Sequence, residues 1–101
     1  MANENNPSMK LINQFHDDHK WRQFHNAKDL ALSISIEAAE LLEIFQWTDS
    51  ESAVEKKRED LEEELADVLI YCYTLAEKLG MDIDEIIAKK LVKNLKKYPV
   101  K

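Results

Sequence analysis

Residues 65–76, LADVLIYCYTLA, are apolar on almost every side of a helix and carry a single charge, at Asp67. A helix that is hydrophobic all round belongs in the middle of a bundle. The chain has 101 residues, enough for one small domain, and four helices of that length can hardly surround the segment. We therefore expect an all-α fold, a four-helix bundle completed by homodimerisation. The alternative is that the segment is buried within a single protomer.

The sequence before this segment predicts a leader and two helices. Residues 1–8 are polar and are predicted to be a disordered leader, so that residues 9–101 form the folded domain. Ser8 is the expected N-cap of a first helix, which fades between residues 21 and 25. A second helix is predicted over residues 27–47 because apolar side chains recur at spacings of three and four, at Leu30, Ile34, Leu41 and Ile44.

A polar break at residues 48–50 separates the second helix from the third. The third should continue as one long helix to residue 79, with Gly80 as its stop. Asp82 or Asp84 then opens a fourth helix, which ends before Pro99. Strand-like alternation occurs nowhere in the chain.

Charge and cysteine content restrict the class of protein. The net charge is −6, which argues against a surface built to bind nucleic acid, although residues 89–101 contain six lysines and no acid. Cys72 is the only cysteine, so no disulfide forms within the chain. No signal peptide and no run of about 20 apolar residues is present. We expect a soluble, cytoplasmic protein that does not bind membranes.

Acidic side chains occupy the predicted inner faces of the second and third helices. Glu37 stands in the apolar row of the second helix, with Glu40 three residues later. Glu64 and Asp67 have the same spacing on the third helix and share a face with Tyr71. A spacing of three places both carboxylates of each pair on one side of its helix.

These four acids have no cationic neighbour within their own helices. None of the residues three or four positions away is lysine or arginine. An unpaired carboxylate that is partly buried costs on the order of several kcal/mol, so a divalent cation is expected. Carboxylates alone suit Mg²⁺, with Mn²⁺ as a possible substitute. The alternative is an ordinary solvated acidic surface, which residues 55–63 resemble more closely.

Histidine does not complete this metal set. Helical di-iron sites need a Glu-x-x-His motif on two helices, and the last position of each motif here is Glu40 or Asp67. His16 and His19 have ligand-like spacing on the first helix, but two isolated imidazoles there are expected to be solvated. A carboxylate di-iron oxidase is therefore the weakest alternative.

Three longer motifs accompany the acids: IEAAELLEIFQW (36–47), EELADVLIY (63–71) and Lys90-x-x-x-Asn94 with Tyr98-Pro99. In this order the motifs resemble those of the MazG-type nucleotide pyrophosphohydrolases of the all-α NTP pyrophosphatase superfamily. Upstream, Trp21-x-x-Phe24-His25-x-x-Lys28 is similar to the small dCTP pyrophosphatase-like branch. The similarity covers roughly residues 15–99.

The resemblance implies Mg²⁺-dependent cleavage between the α- and β-phosphates of a nucleoside triphosphate. Glu37, Glu40, Glu64 and Asp67 would hold the metal, and one of them or Glu63 would orient the attacking water. Further implied contacts are to the phosphates or sugar and to the base; the residues concerned are Trp21, His25, Lys28, Trp47, Tyr71, Lys90, Asn94 and Tyr98. We predict a deoxypyrimidine triphosphate, dCTP foremost, as the substrate, and removal of unwanted nucleotides as the role.

Several alternatives stay open at this point. Trp21 and Phe24 can equally be core residues, and the C-terminal lysines can simply complement the helix dipole. The chain can be a non-catalytic dimerisation or regulatory module with a structural metal, or an enzyme of the phosphoribosyl-ATP pyrophosphohydrolase type. The predicted homodimer can also pair into a dimer of dimers.

Overall fold

The computed structural model describes residues 2–21 and 26–100. These ranges contain five helices and no strand, which confirms the all-α class. The helices are α1 (Pro7–His19), α2 (Ala27–Glu43), α3 (Ser50–Lys56), α4 (Arg58–Lys78) and α5 (Ile83–Lys97). None of the described helices has the length and apolarity needed to cross a membrane.

The predicted single third helix is wrong, because it is divided into α3 and α4. The division lies at Lys57, whose φ of −120° and ψ of 32° depart from helical values. The sequence has neither Gly nor Pro there, so no local signal predicts the break between α3 and α4. The predicted ends are otherwise confirmed: Asp49 caps α3 by accepting from the Ser52 N–H, and Gly80, with φ of +69°, follows the end of α4.

The second helix is shorter than predicted. It ends at Glu43, and the following residues form turns that lead to Trp47 in the left-handed region, with φ of 66°. At its start Asn26 accepts a hydrogen bond from the Asp29 N–H at 2.8 Å, which satisfies one of the free donors of the first turn. Trp47 therefore lies in a turn instead of at the end of a helix.

The first residues are folded where a disordered leader was expected. Asn3 is buried; its amide donates to the Met81 carbonyl, and its Oδ1 accepts from the Ile83 N–H, both at 2.7 Å. The cap of α1 is Asn6 instead of Ser8. Pro7 follows at the first helical position, where its missing N–H and fixed φ suit the helix start.

Helix α4 is the centre of the protomer, as its apolar sequence predicts. It packs along α2 and also against α1 and α3, whereas α5 has no comparable contact with any other helix. A small core of Met9, Ala76 and Ile83 joins α1, α4 and the first residue of α5. The radius of gyration is 16.1 Å, whereas a compact chain of this length has about 13 Å. The protomer is therefore more extended than a typical compact domain.

Candidate active site

The contact between α2 and α4 brings three of the four predicted acids together. One carboxylate oxygen from each of Glu37, Glu40 and Glu64 lies within 4.8 Å of the others, and all three side chains are half-buried. Glu37 and Glu40 share a face of α2 because they are three residues apart, and that face is turned towards Glu64 on α4. We call these three residues the acid cluster.

Two oxygens of the acid cluster, Glu37 Oε2 and Glu64 Oε2, are buried and have no hydrogen-bond partner among the described residues. When all three carboxylates are ionised, none can donate to another, so the negative charges face each other directly. A buried polar atom without a partner is uncommon in native proteins and calls for an explanation such as an ion.

The shared environment makes ionisation of the cluster unfavourable. Hydrogen bonding to Glu40, burial and the charge of Glu40 raise the pKa of Glu37 to about 7, with smaller effects from Glu64 and Asp67. Burial raises the pKa of Glu64 as well; hydrogen bonding with Glu37 opposes this effect, and the charges of Glu40 and Asp67 add to it. Glu37 is therefore the carboxyl that holds a proton near neutral pH when no cation is present.

These residues fit a hard divalent cation. Their free donors are all carboxylate oxygens, the ligands that Mg²⁺ and Mn²⁺ accept, and two of the oxygens have no other partner. In the part of the chain that the structure describes, no lysine or arginine forms an ion pair with the predicted metal ligands. A cation would also remove the mutual repulsion that raises the pKa values.

Asp67 lies one helical turn beyond Glu64 and is outside the group of three that could share an ion. Its charge nevertheless acts on both Glu37 and Glu64, which places it near the cluster. The structure therefore brings three of the four predicted ligands into one site and leaves Asp67 beside it, facing a cavity.

Two cavities border the predicted metal ligands, one at Glu40 and Glu64 and the other at Asp67. One, of about 440 Å³, is polar and is lined by Glu40, Glu43, Ile44, Lys57, Asp60, Glu63 and Glu64. The exposed Glu63 borders this cavity beside Glu64, so water there can reach both carboxylates. Lys57 is its only cationic lining residue among those the structure describes.

The second cavity, of about 400 Å³, lies between α1 and α4, and we call it the aromatic cavity. Its apolar walls are Leu11, Ile12, Phe15, Trp21 and Ile70. His16, Asp67 and Tyr71 supply its polar groups. The volume falls within the usual range of about 300–1,000 Å³ for small-molecule sites, and Asp67 connects it to the acid cluster.

The predicted base-contacting residues divide into three groups. Trp21 and Tyr71 line the aromatic cavity. Trp47 is 94% exposed in its turn, and Lys28 is exposed in the first turn of α2. His25, like the neighbouring Phe24, lies outside the described residues.

The predicted contacts from the C-terminal region are not assembled within the protomer. Lys90 and Asn94 belong to α5, and Tyr98 follows it; none of them lines either cavity at the acid cluster. The Tyr98 side chain is exposed, with Lys97 Nζ 5.4 Å from the centre of its ring. Helix α5 has no extensive contact with another described helix.

Sequence reasoning missed His16. It was expected to be solvated, but it is buried and lines the aromatic cavity. The spacing of His16 could have indicated its burial, because it follows Ile12 by four residues and so lies on the inner face of α1. His19 lies on the exposed face.

Comparison with known proteins gives consistent matches. The MazG-like family matches residues 32–101. The chain is 38% identical over 96 residues to mouse dCTP pyrophosphatase 1 and 37% identical over 95 residues to the human protein. These alignments cover 90% and 89% of this chain but 56% of each relative, so the chain spans about half the length of the curated relatives it matches.

A solved structure resembles the fold closely. The crystal structure of a pyrophosphatase from Archaeoglobus fulgidus superimposes with a TM-score of 0.85 at 43% sequence identity. The match covers 91% of this chain and 89% of that one. The similarity therefore extends over nearly the whole of both chains.

Proposed function

The chain belongs to the MazG-like family, and from this we propose that it is a nucleotide pyrophosphohydrolase that depends on Mg²⁺. The observation that carries the proposal is the acid cluster, in which two buried oxygens, Glu37 Oε2 and Glu64 Oε2, have no partner within residues 2–21 and 26–100. A Mg²⁺ ion bound there with a nucleotide would supply a partner for those oxygens and offset their charge. The names of the related pyrophosphatases support the same activity.

We propose that Glu37, Glu40 and Glu64 would hold the metal, and that Asp67, which lies beside them on α4, would be the fourth ligand once an ion is bound. When bound, Mg²⁺ supplies neutralisation of phosphate charge and polarisation of the phosphorus–oxygen bonds. Either Glu63 or one of the four carboxylates orients a water molecule. The water oxygen bonds to phosphorus while the bond between the α- and β-phosphates breaks. The products are a nucleoside monophosphate and pyrophosphate, and the released proton passes to a carboxylate or to solvent.

The aromatic cavity supports a nucleotide as the substrate, and the names of the relatives support the choice of base. Aromatic walls such as those of Phe15 and Trp21 stack on a nucleobase of any kind, and Tyr71 lies between this cavity and the acids. We propose a deoxypyrimidine triphosphate, with dCTP preferred, as in the relatives whose names specify dCTP. A place in the cytoplasm, where such nucleotides need to be removed, remains a prediction from the sequence.

We further propose that the protein is a homodimer in which α5 is fixed by the second copy. Ile87, Leu91 and Leu95 recur every four residues on one face of α5 and are exposed, opposite a face of lysines. Leu65 and Leu69 are also exposed on the central helix. Pairing of two copies buries such faces. Lys90 and Asn94 then come to contact the substrate only in the assembled dimer.

A pyrophosphate-release assay tests the proposed activity. The eight common NTPs and dNTPs are each incubated with the protein, with Mg²⁺ or with EDTA. We expect release that requires Mg²⁺, is fastest with dCTP and is lost in Asp67→Asn. Absence of release from every nucleotide would favour a non-catalytic module, whereas equal rates across the panel would remove the base preference alone.

A further inference from the structure

A row of side chains runs along one face of α4 and borders both cavities. Its members follow one another at spacings of three and four residues, which keeps them on the same side of a helix. They are Lys57, Asp60, Glu64, Asp67 and Tyr71. The first three line the polar cavity beside the acid cluster, and the last two line the aromatic cavity. Glu64 therefore stands between an end with a lysine and an end with aromatic walls.

Lys57 is held in this row by the junction of α3 and α4. Its N–H donates to the Ala53 carbonyl of α3, and its own carbonyl accepts from the Leu61 N–H of α4, both at 2.9 Å. The junction therefore fixes the backbone of Lys57 on both sides, although its dihedral angles are not helical. The side chain is exposed to solvent at the polar cavity.

The Lys57 ammonium is not taken up by the acids around it. Five carboxylates line the polar cavity with it, from Glu40, Glu43, Asp60, Glu63 and Glu64. Among residues 2–21 and 26–100, Arg58 pairs with Glu62 and Lys89 with Glu85, but Lys57 forms no ion pair. Its charge is therefore available to an anion that enters the cavity together with a cation.

The distance along α4 suits an extended phosphate chain. Lys57 precedes Glu64 by seven residues, which corresponds to about 10 Å along a helix axis. The polar cavity, of about 440 Å³, provides room between them. A nucleoside triphosphate is a linear molecule, with the base at one end and the terminal phosphates at the other. When the cleaved bond lies at the acid cluster and the base in the aromatic cavity, the terminal phosphates extend towards Lys57.

We propose that Lys57 contacts the β- and γ-phosphates of the substrate and that pyrophosphate leaves through the polar cavity. This inference rests on the proposed function, because it concerns the leaving group of the same reaction. As the bond to the α-phosphorus breaks, its electron pair stays on the bridging oxygen, and the pyrophosphate gains a negative charge. The ammonium offsets that charge without transferring a proton, as a lysine does at other phosphate sites.

Product inhibition tests the proposal, because the two products occupy different ends of the site. The inhibition constant Ki is measured for pyrophosphate and for the nucleoside monophosphate against the nucleotide that the wild type hydrolyses fastest. Mg²⁺ is kept in excess of pyrophosphate, and the ionic strength is constant. The variants are Lys57→Ala, which removes the charge, and Lys57→Arg, which keeps it. Lys56→Ala is the matched control, because Lys56 is also exposed but lines neither cavity.

We expect Lys57→Ala to raise Ki for pyrophosphate about tenfold and KM for the triphosphate by a similar factor. Its Ki for the monophosphate should stay within about twofold of wild type, because that product lacks the terminal phosphates. Lys57→Arg should keep most of the affinity for pyrophosphate, and Lys56→Ala should match the wild type. A lysine with a merely structural role would not change one Ki without the other.

The results separate failure of this inference from failure of the proposed function. If the wild type releases pyrophosphate and Lys57→Ala leaves its Ki unchanged, the inference is overturned while the activity stands. Equal increases in both Ki values, or an equal effect of Lys56→Ala, would also overturn it. If the wild type hydrolyses no nucleotide, both are overturned. Should Lys57→Ala not fold in a thermal unfolding assay, an unchanged Ki for pyrophosphate in Lys57→Gln is sufficient to overturn the inference.

Discussion

The helix pair α2–α4 and the terminal helix α5 differ in where their charged side chains lie. The charges of the pair lie between the two helices, whereas those of α5 lie opposite its apolar face. In α2–α4, carboxylates face inward and lie where the two helices meet. In α5, the lysines lie on one face and the apolar side chains on the other, and that apolar face is exposed. Elsewhere on the surface, Glu62 pairs with Arg58 and Glu85 with Lys89, both one turn apart.

The two regions differ in how far a single protomer assembles them. The acid cluster is assembled by the contact between two helices of the same chain. Helix α5 is attached mainly at its first turn, through Ile83 and the bonds of Asn3, and the rest of its apolar face is exposed in the part of the chain that the structure describes. On our proposal, an ion completes the first region and another copy of the chain completes the second.

The largest expected effect comes from the inward-facing acids. Glu40→Gln removes a negative ligand atom without changing the shape of the side chain, and we expect the rate of pyrophosphate release to fall more than about 100-fold. Glu62→Gln is the matched control, since Glu62 is exposed and ion-paired, and it should stay within twofold of wild type. Equal activity in both variants would show that the inward-facing acids matter no more to the reaction than the exposed ones.

The apolar face of α5 can be tested by placing a charge on it. Leu91→Glu should weaken dimerisation at least about 30-fold, because a carboxylate would be buried against the second copy. Sedimentation equilibrium measures the change, with Lys96→Glu on the opposite face of α5 as control. A wild-type protein that is monomeric at all concentrations would contradict the proposed role of this face.

The raised pKa of Glu37, at about 7, predicts that protons and metal compete for the cluster. Below pH 7 the affinity for Mg²⁺ should fall by up to about tenfold per pH unit, because Glu37 must lose its proton to bind. Titration calorimetry at pH 6, 7 and 8 measures this, and Glu37→Gln should bind weakly at each pH. An affinity that is independent of pH over this range would show that Glu37 is already ionised.

The same group affects the stability of the metal-free protein. Because the pKa of Glu37 is higher in the folded state than its ordinary value of 4.5, its contribution to stability is complete below pH 4.5 and is lost as pH rises through about 7. The melting temperature in EDTA should therefore decrease from pH 5 to pH 8, and Mg²⁺ should restore it at pH 8. Glu37→Gln, which cannot ionise, should flatten this dependence.

The smallest expected effect concerns the attachment of α5. Asn3→Ala removes the buried bonds to Met81 and Ile83 and should lower the free energy of unfolding by about 1–2 kcal/mol. Asn5→Ala, at an exposed position, is the control. Urea unfolding measures both. Equal stability of the two variants would indicate that the first residues do not hold α5.

Part of the fold could be predicted because its signals are local. The cap at Asp82, the stop at Gly80 and the apolar run of α4 act through residues within one or two turns. Other features of the fold could not be predicted. The break between α3 and α4 at Lys57 has no Gly or Pro to indicate it, and the position of Asn3 depends on residues nearly 80 positions away in the sequence. His16 was misjudged for a similar reason, because its burial comes from α4 and from the reversal of the chain at Lys20.

By itself, the sequence determined that the chain is all-α and that acids without cationic neighbours would stand on the inner faces of two helices, since the 3.6-residue period fixes which side chains share a face. It could not determine how close those acids come or that Asp67 lies beside the other three. Distance between helices is set by the packing of side chains remote in sequence. Only the tertiary structure therefore decided that Glu37, Glu40 and Glu64 form one site, and that a buried imidazole lies across an adjacent cavity.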